Sequence, residues 1–374
     1  MSELLAFLSS HQADMLEDLR RFVEQESPSD DKGRLDGFAR FLAGYAESMT
    51  GGRAALIANP SGGDHVRIEL GSRATPILLV GHFDTVWPVG TLERLPFAVR
   101  AGMATGPGSF DMKAGLVQGF WALRALREVA GFPGHVVFFC NSDEELGSPT
   151  SRDRIEAEAS AASTALILEA SQEGSLKTAR KGVGIFHLEV NGRAAHAGLD
   201  PFAGVSAIDE LARLILDLHA ITSEESGVTV NVGVIRGGTR SNVTAADASA
   251  EIDLRVVDGE QAGEVTARIL GLRPHNPEAV VRVTGGMNRP PMERTERTVE
   301  LFQSARGIAR KLGFDLGEVM VGGGSDGNFT AACCPTLDGL GAVGGGAHAD
   351  DERVSVTDMP RRAALVAHLI QSLA

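Results

Sequence analysis

The chain has 374 residues, of which 43% are hydrophobic and 22% are charged, and this composition excludes a disordered or low-complexity protein. Its length exceeds what one ordinary hydrophobic core organises, so two domains are expected. The formal net charge of −14 argues against nucleic acid as a partner, because that binding needs clustered Lys and Arg. No apolar run approaches the ~20 residues of a membrane-spanning helix, so no membrane partner is expected.

The N-terminal segment has an amphipathic pattern that predicts one helix ending near Phe22. It lacks the basic stretch and apolar core of a signal peptide. The three cysteines, Cys140, Cys333 and Cys334, are too few for a disulfide framework and are expected to be small buried side chains. Together these features predict a cytoplasmic protein.

From about residue 75, short apolar runs alternate with helical patterns. Strands are predicted at 75–81, 135–140 and 165–168, and a helix is predicted at 112–129. Fully apolar strands separated by helices are typical of a mostly parallel sheet that is covered on both faces. This part of the chain is therefore predicted to form an α/β domain.

The pattern changes near residue 183. Segments 184–190, 229–235 and 248–256 alternate apolar and polar residues, as half-exposed strands do. Helical patterns occupy 203–219 and 261–272. The simplest arrangement is an α+β unit in which two helices cover one face of a four-stranded antiparallel sheet.

The α/β pattern returns after residue 288, with helices predicted at 299–312 and 359–373. The chain is therefore predicted to be one α/β domain, formed by residues 1–180 and 289–374, that is interrupted by an inserted domain at 181–288. The short Gly-rich stretches 322–324 and 344–346 flank polar residues, so they are interpreted as loops that form a site.

A His and an Asp follow the first apolar strand. On an extended strand, residues i and i+2 point to the same side, so His82 and Asp84 are presented together. A His that binds a metal commonly passes its second ring nitrogen to a carboxylate, which fixes the ring. The pair alone is a weak signal.

Other His and acidic residues lie at similar places along the chain. Asp111 precedes a predicted helix, Glu145 and Glu169 follow strands, and His348 lies in a Gly-rich loop. Ligands of open α/β sheets bind beyond the carboxyl ends of the strands, and this donor set suits zinc. Five ligands are too many for one tetrahedral ion. With one bridging carboxylate they serve two ions, each with one His and one terminal carboxylate.

A hydrolytic site of this kind needs a further group to move protons. Glu144, next to the predicted ligand Glu145, is the natural candidate because neighbouring residues at a strand end can face the metal and the water. Taken singly, each residue has a simpler interpretation. Asp111 alone could cap a helix that starts at Met112, and the two glutamates alone could be a charged strand end.

Nine motifs occur in one order along the chain: Gly81-His82-Phe83-Asp84-Thr85-Val86; Gly106-Pro107-Gly108 with Asp111-Met112-Lys113-Ala114-Gly115; Asp143-Glu144-Glu145-Leu146-Gly147-Ser148; Leu168-Glu169; Ala195-His196-Ala197-Gly198; Arg240-Ser241-Asn242-Val243; Asp253-Leu254-Arg255; Gly323-Gly324-Ser325-Asp326-Gly327; and Gly346-Ala347-His348. In these motifs the chain resembles the M20 metallopeptidases, and among them most closely the glutamate carboxypeptidases. The resemblance implies a zinc-peptidase-like α/β catalytic domain with an inserted α+β lid, through which two subunits form a homodimer.

The resemblance also implies which residues bind metal. His82 and Glu169 would bind one Zn²⁺, Glu145 and His348 would bind the other, and Asp111 would bridge the two ions. Two Zn²⁺ per subunit are expected, with Co²⁺ or Mn²⁺ as alternatives.

Three further residues have implied catalytic roles. Asp84 would orient the His82 ring, and Glu144 would act first as general base and then as general acid. His196, supplied by the partner subunit, would stabilise the oxyanion.

Substrate binding is implied for residues of the inserted domain and of one loop. Arg255 would grip the free carboxylate of the substrate, and Asn242 would help to hold the substrate. The Gly323-Gly324-Ser325 backbone would contribute hydrogen-bond donors.

The match to glutamate-specific members is less sharp. Lys177 and Arg289 fall where those members place cationic contacts to the substrate side chain, although Arg180 and Lys181 lie close to Lys177 and blur the match. Met112 stands where many members have a second Asp, and the peptide bond before it is expected to be cis, as is frequent in the family.

The sequence therefore predicts a dinuclear zinc hydrolase that cleaves the amide bond before a C-terminal amino acid, with glutamate favoured, in N-acyl or short peptidyl substrates. Two alternatives stay open. One is an aminoacylase, dipeptidase or deacetylase on the same scaffold, and the other is a non-catalytic metal-binding protein. The intact Glu144-Glu145 pair weighs against the second alternative.

Overall fold

The computed structural model describes residues 2–72, 75–131 and 134–374. Its contacts divide the chain into two compact units. The first unit contains the described residues up to Ala179 together with Arg294–Met320 and Ser325–Ala374, and the second contains Arg180–Glu293 and Val321–Gly324. The loop Val321–Gly324 therefore groups with the second unit, whereas the sequence analysis assigned it to the α/β domain.

The α-helices, in chain order, are α1 (Glu3–Ser10), α2 (Gln12–Val23), α3 (Lys32–Thr50), α4 (Thr91–Arg94), α5 (Ala114–Ala125), α6 (Arg152–Ala161), α7 (Ala207–His219), α8 (Gly259–Leu270), α9 (Glu296–Leu312), α10 (Gly327–Ala331) and α11 (Met359–Leu373). Short turns of other helix types occupy Ser109–Lys113, Leu126–Ala130 and Glu144–Leu146.

The strands are β1 (Arg53–Ile57), β2 (His65–Leu70), β3 (Ile77–His82), β4 (Ala98–Arg100), β5 (Met103–Thr105), β6 (Val136–Asn141), β7 (Thr164–Ile167), β8 (Leu176–Arg180), β9 (Gly182–Asn191), β10 (Thr229–Gly237), β11 (Asp247–Val256), β12 (Val280–Arg289), β13 (Glu318–Val321), β14 (Thr336–Leu337), β15 (Gly344–Gly345) and β16 (Arg353–Ser355).

The first unit is built on a six-stranded sheet, within the described residues, in the order β1-β2-β6-β3-β7-β14. The strands β6, β3, β7 and β14 are parallel, and the β1-β2 hairpin adds an antiparallel edge. Alternate residues bury the two faces: Leu79 and Phe138 belong to one apolar cluster, and Leu78 and Phe139 belong to another. The predicted α/β class with a mostly parallel sheet is confirmed.

The strand ends of this sheet set the position of the site. In the parallel register His82 pairs with Asn141, and Val80 pairs with Ile167, so β3, β6 and β7 end at the same edge. His82 ends β3, the predicted base Glu144 and the predicted ligand Glu145 follow β6, and the predicted ligand Glu169 follows β7. This is the edge at which ligands of open α/β sheets bind.

The second unit contains the antiparallel sheet β10-β11-β9-β12. Helix α7 packs on β9, β10 and β11, and α8 packs on β11 and β12. Residues such as Leu188, Leu214 and Ile252 form its apolar core. The predicted α+β unit is confirmed. The sequence pattern located three of its four strands, and the structure shows that β12 is the fourth. Helix α7 begins at Ala207 rather than at 203 because the Ser206 hydroxyl caps it, accepting from the Asp209 N–H at 3.2 Å.

The N-terminal region differs most from its prediction. The single predicted helix is broken at His11 into α1 and α2. Helix α3, for which no pattern was identified, contributes Leu35, Phe38 and Leu42 to the larger apolar cluster. Its apolar residues lie among glycines and charges, which obscured the helical period.

Two further findings concern the hydropathy of the helices and the burial of the cysteines. Within the described ranges, no helix combines the length and the apolar character that crossing a bilayer requires. Cys140 and Cys334 are buried free cysteines as expected, but Cys333 is exposed, which corrects its predicted burial. The cytoplasmic location stays a prediction.

Candidate metal centre

His82 is the last residue of β3 and its side chain is buried. Its Nδ1 lies 3.0 Å from the main-chain oxygen of Asp84, an acceptor, so Nδ1 carries the proton. Nε2 is then the nitrogen that would bind a metal ion, once its own proton has been displaced. It lies 3.3 Å from Asp111 Oδ1 and 3.5 Å from Glu169 Oε1.

A second imidazole faces the other side of the same carboxylate. His348 lies in the loop between β15 and β16, and β16 pairs with β5, the strand that leads into the Asp111 loop. His348 Nε2 is 3.3 Å from Asp111 Oδ2 and 3.2 Å from Glu145 Oε2. Asp111 thus directs one oxygen to each imidazole.

These distances fit two zinc ions. Two ligands at about 2.0–2.1 Å from a tetrahedral ion are separated by about 3.3 Å. The separations of 3.2–3.5 Å around Asp111 match that edge. Charge-assisted hydrogen bonds between nitrogen and oxygen are shorter, about 2.7–2.9 Å. The donor set therefore fits one ion at His82 and Glu169, one at His348 and Glu145, and Asp111 as the bridge.

The electrostatics of the cluster favour cations. Burial lowers the pKa of His82, but the neighbouring carboxylates of Asp111, Asp84 and Glu169 outweigh burial and hold that pKa well above its usual value. Hydrogen bonds to Asp111 and Glu145 raise the pKa of His348 to about 10. Both imidazoles thus hold protons that a coordinated metal ion would replace.

The carboxylates of the cluster respond in opposite directions. Burial raises the pKa of Asp111, but hydrogen bonds from His348 and His82 outweigh it, so the pKa lies far below its usual range. Burial raises the pKa of Glu145 above its usual value. Asp111, which lies between two imidazoles, and Glu145, which lies beside one, therefore have pKa values shifted in opposite directions even without metal.

The predicted base lies beside the first ligand group. A carboxylate oxygen of Glu144 is within 4.8 Å of ligand atoms of His82 and Glu169. The backbone N–H groups of Glu144 and Glu145 donate to the two carboxylate oxygens of Asp84, at 3.1 and 3.2 Å. Asp84 therefore fixes the turn that carries both glutamates.

Asp84 was predicted to orient the His82 ring, and both its backbone and its carboxylate lie near that ring. Its main-chain oxygen, at 3.0 Å, is closer to His82 Nδ1 than its carboxylate, at 3.4 Å. The carboxylate also accepts from the Ser29 hydroxyl at 2.7 Å. Asp84 thus orients His82 mainly through its backbone, and it holds the Glu144 turn through its side chain.

Sequence reasoning missed Glu352, a buried carboxylate behind the Asp111 loop. It accepts hydrogen bonds from Trp87 Nε1 at 2.9 Å and from the backbone N–H groups of Gly108 (2.9 Å), Phe110 (2.7 Å) and Asp111 (3.0 Å). Burial raises its pKa. A carboxylate in an acidic loop gives no sign in sequence that it is buried, and here it holds the loop of the bridging residue.

Met112, which stands where many members of the family have a second Asp, packs inside the loop of Asp111. The Asp111-Met112 peptide is cis, as the resemblance implied. The Met112 side chain is buried, and its sulfur accepts the His82 N–H at 3.3 Å. Helix α5 begins only at Ala114, so Asp111 does not cap it.

Arg255, the predicted carboxylate-binding residue, lies on β11 in the second unit and is half-exposed. Its Nε and Nη2 form a bidentate pair with Asp253, both at 2.9 Å, and Nη1 is 3.4 Å from the Gly322 carbonyl oxygen. The guanidinium is therefore held side-on by Asp253, with its remaining edge directed to the glycine loop.

A second Arg, absent from the predicted site, stabilises that loop. Arg180 is buried, and its Nη1 donates to the carbonyl oxygens of Gly323 and Gly324 at 3.0 and 3.1 Å. A Cβ at Gly324 would lie 2.8 Å from Cδ of Arg289, which is also buried. Gly324 therefore leaves no room for a side chain, whereas a Cβ at Gly322 or Gly323 would meet no neighbouring atom within 4 Å.

His196 and Asn242 lie together in the second unit, where the Ala197 N–H donates to the Asn242 carbonyl oxygen at 3.0 Å. His196 is exposed. Its Nδ1 accepts from the backbone N–H groups of Gly198 and Leu199 at 3.1 and 3.0 Å. Nε2 therefore carries the proton and is a hydrogen-bond donor, as oxyanion stabilisation requires.

Two other predicted substrate residues belong to the first unit. The Ser325 N–H donates to Asn328 at 2.9 Å, and its hydroxyl donates to Asp338 at 2.6 Å. These internal bonds weigh against Ser325 as a donor to substrate. The backbone of Lys177, on β8, also bonds to Asp338. The roles predicted for both residues stay predictions.

Comparison with known proteins agrees with this combination of fold and site. Residues 78–372 match the model of peptidase family M20/M25/M40. The chain is 31% identical to carboxypeptidase G2 of Pseudomonas sp. strain RS-16, over 98% of this chain and 90% of that protein. It is 26% identical to succinyl-diaminopimelate desuccinylase of Methylorubrum extorquens, over 81% and 84% of the two chains.

A solved structure shows the same fold. Aminopeptidase PepT from Bacillus cereus ATCC 10987 superposes with a TM-score of 0.77 at 23% identity, covering 97% of this chain and 98% of that one. The fold and the site define the class, a metallopeptidase among the hydrolases. The chain belongs to the M20 peptidase family.

Proposed function

We propose that the chain is a dinuclear zinc carboxypeptidase that releases a C-terminal amino acid, glutamate above all, from N-acyl or short peptidyl amides. The observation that carries the proposal is the arrangement around Asp111. Each of its oxygens lies 3.3 Å from a different imidazole, and each imidazole also lies near a terminal carboxylate. The similarity to carboxypeptidase G2 supports the carboxypeptidase assignment over the other hydrolases of the family.

When bound, two zinc ions would lower the pKa of a shared water and polarise the substrate carbonyl. The chain's own residues move the protons. Glu144, held by Asp84 through the backbone of its turn, takes the proton of the attacking water and later delivers it to the leaving amine. His196 Nε2, a donor in the tautomer that the two hydrogen bonds to Nδ1 imply, stabilises the negative charge on the carbonyl oxygen.

In this proposal the released amino acid is recognised through its charges. Arg255 binds the α-carboxylate, because its guanidinium is already oriented by Asp253 and so loses little freedom on binding. Asn242 and the backbone of Gly323 and Gly324 assist it. The predicted contacts of Lys177 and Arg289 to the glutamate side chain would combine one residue from each unit.

Replacing Arg255 by Ala is expected to lower kcat/KM for N-benzoyl-L-glutamate by roughly 10- to 100-fold, because a hydrogen bond to a charged group contributes about 1.5–3 kcal/mol. The matched control is Arg213→Ala, which removes another Arg–Asp pair of the same unit. The assay compares N-benzoyl derivatives of glutamate, alanine and phenylalanine with free dipeptides. An unchanged kcat/KM in Arg255→Ala refutes its role, and preferred cleavage of dipeptides or of N-acyl hydrophobic amino acids favours the dipeptidase or aminoacylase alternative.

The proposal includes a homodimer formed through the second unit. Strand β10 is an edge strand whose second half is exposed, including Val234 and Ile235. Ile208 on α7, next to the end of this strand, is also exposed, as is Leu216. An exposed apolar edge strand can form backbone hydrogen bonds with the same strand of a second copy, related by a two-fold axis.

Sedimentation velocity tests the dimer. Ile235→Lys is expected to convert the dimer to monomer, because the charge would be buried in the pairing edge. If His196 acts in trans, this variant also loses most of its kcat. Val280→Lys on the opposite edge strand β12 is the matched control, since the two side chains are 63% and 62% exposed. If Ile235→Lys remains a dimer and Val280→Lys becomes a monomer, the interface is formed by β12, and the proposed interface on β10 is contradicted.

A further inference from the structure

A buried histidine that the proposed mechanism does not use lies beside the chain segment that leads to Glu144. His65 is the first residue of β2 and is 2% exposed. Strand β2 pairs with β6, and the turn that carries Glu144 follows the end of β6. A buried polar side chain needs hydrogen-bond partners, and the partners of His65 lead to this turn.

The hydrogen bonds of His65 fix its tautomer. The backbone N–H of Ser142 donates to Nδ1 at 3.3 Å, so Nδ1 is an acceptor and carries no proton. Burial lowers the pKa of His65, which keeps the ring neutral near pH 7. Nε2 therefore carries the proton and donates a hydrogen bond to the hydroxyl oxygen of Thr150 at 3.2 Å.

Thr150 connects this histidine to Asp143. Its hydroxyl donates to Asp143 Oδ2 at 2.6 Å, and its backbone N–H donates to the same oxygen at 2.7 Å. The side-chain amide of Asn59 donates to Thr150 Oγ1 at 2.8 Å, so this oxygen accepts two hydrogen bonds while its own hydrogen points to Asp143. His65, Thr150 and Asp143 thus form a hydrogen-bond chain in which every donor and acceptor is defined.

The hydrogen-bond chain ends at the residue before the base. Asp143 is buried and directly precedes Glu144. Its carbonyl oxygen accepts from the N–H groups of Leu146 and Ser148, at 3.2 and 2.9 Å, and so closes the turn that carries Glu144. The backbone of the base is therefore held at its own N–H by Asp84 and at the preceding residue by the hydrogen-bond chain.

We infer that His65 and Thr150 are positioning residues of the reaction, which act through Asp143 to keep the Glu144 carboxylate within reach of the attacking water. The inference rests on the proposed function, in which Glu144 is the base. Proton transfer requires hydrogen-bond distance, and a displacement of about 1 Å costs up to roughly 10²-fold in rate. The loss is expected in kcat, because neither residue contacts the substrate in this proposal.

Thr150→Val tests the hydrogen-bond chain at an exposed residue, where the change keeps the shape of the side chain and removes its hydroxyl. It is expected to lower kcat for N-benzoyl-L-glutamate roughly 10-fold, with KM and the zinc content unchanged. Thr150→Ser restores the hydroxyl and is expected to stay within about 2-fold of the wild type. The matched control is Thr357→Val, since Thr357 is also exposed, belongs to the first unit and forms a hydrogen bond with Ser355 through its hydroxyl.

Two double variants separate positioning of the base from a general structural effect. His65→Phe alone is expected to lower kcat as Thr150→Val does. The two changes together should lose no more than the larger single loss, because both residues act through one hydrogen-bond chain. In Glu144→Gln, which has no base to position, Thr150→Val is expected to cause no further loss of the residual turnover.

The positioning role is overturned by wild-type kcat in both single variants, by losses that multiply in the double variant, or by a loss that persists in Glu144→Gln. A decrease in zinc content that accounts for the lost turnover also overturns it. In each of these cases the proposed function stands, provided that Glu144→Gln itself loses turnover. A zinc-loaded protein that does not hydrolyse N-benzoyl-L-glutamate, or that keeps its turnover in Glu144→Gln, overturns both.

Discussion

Glu144→Gln is expected to bind two zinc ions with near wild-type affinity and to lose roughly 10³-fold in kcat. Glutamine has nearly the same shape but cannot accept the proton of the attacking water. Its backbone N–H still donates to Asp84, so the turn that also carries Glu145 keeps its position. Metal content by atomic emission and turnover of N-benzoyl-L-glutamate are the two measurements.

The control for this variant is Glu128→Gln, which changes an exposed glutamate paired with Arg127. It should match the wild type in both measurements. Glu144→Gln with substantial turnover would remove Glu144 from the mechanism. Loss of both zinc and turnover would instead show that Glu144 is a metal ligand. The structure allows this outcome, because a carboxylate oxygen of Glu144 lies within 4.8 Å of ligand atoms of His82 and Glu169.

Asp111→Asn is expected to reduce the zinc content from two ions to one or none and to lower kcat/KM by at least roughly 10³-fold. Among the residues that the structure describes, Asp111 is the one carboxylate whose two oxygens face both imidazoles, and an amide offers one neutral oxygen in their place. Loss of the bridge therefore weakens both ion positions at once, whereas loss of a terminal ligand weakens one.

Zinc titration monitored by calorimetry measures this effect. Asp350→Asn is the control, because Asp350 lies in the His348 loop yet is exposed and pairs with Arg94. Two tightly bound ions in Asp111→Asn would show that Asp111 does not bridge. In that case the 3.3 Å distances to His82 and His348 would reflect hydrogen bonds alone.

The sequence was most informative where strand periodicity fixes geometry. The apolar runs that became β3, β6 and β7 put His82, Glu144, Glu145 and Glu169 at one sheet edge. His348 is different, since it lies in a loop far along the chain. Only the order of motifs indicated that it reaches the same site.

Contacts that depend on tertiary packing could not be predicted. Nothing in the sequence distinguishes the buried Glu352 from the exposed acids around it, and its four hydrogen bonds come from residues more than 240 positions away. The pairing of Arg255 with Asp253 was also missed, because an i,i+2 pair on a strand face is usually solvated. Arg180, which in the sequence only blurs the match of Lys177, is buried, and no sequence pattern indicates this.

The most direct test of the account is a zinc titration of the metal-free protein that follows hydrolysis of N-benzoyl-L-glutamate. The account predicts no turnover without metal and a rise that reaches its plateau at two zinc ions per chain, with benzoate and glutamate as products. A plateau at one ion, turnover in the presence of excess chelator, or no release of glutamate at saturating zinc would contradict it.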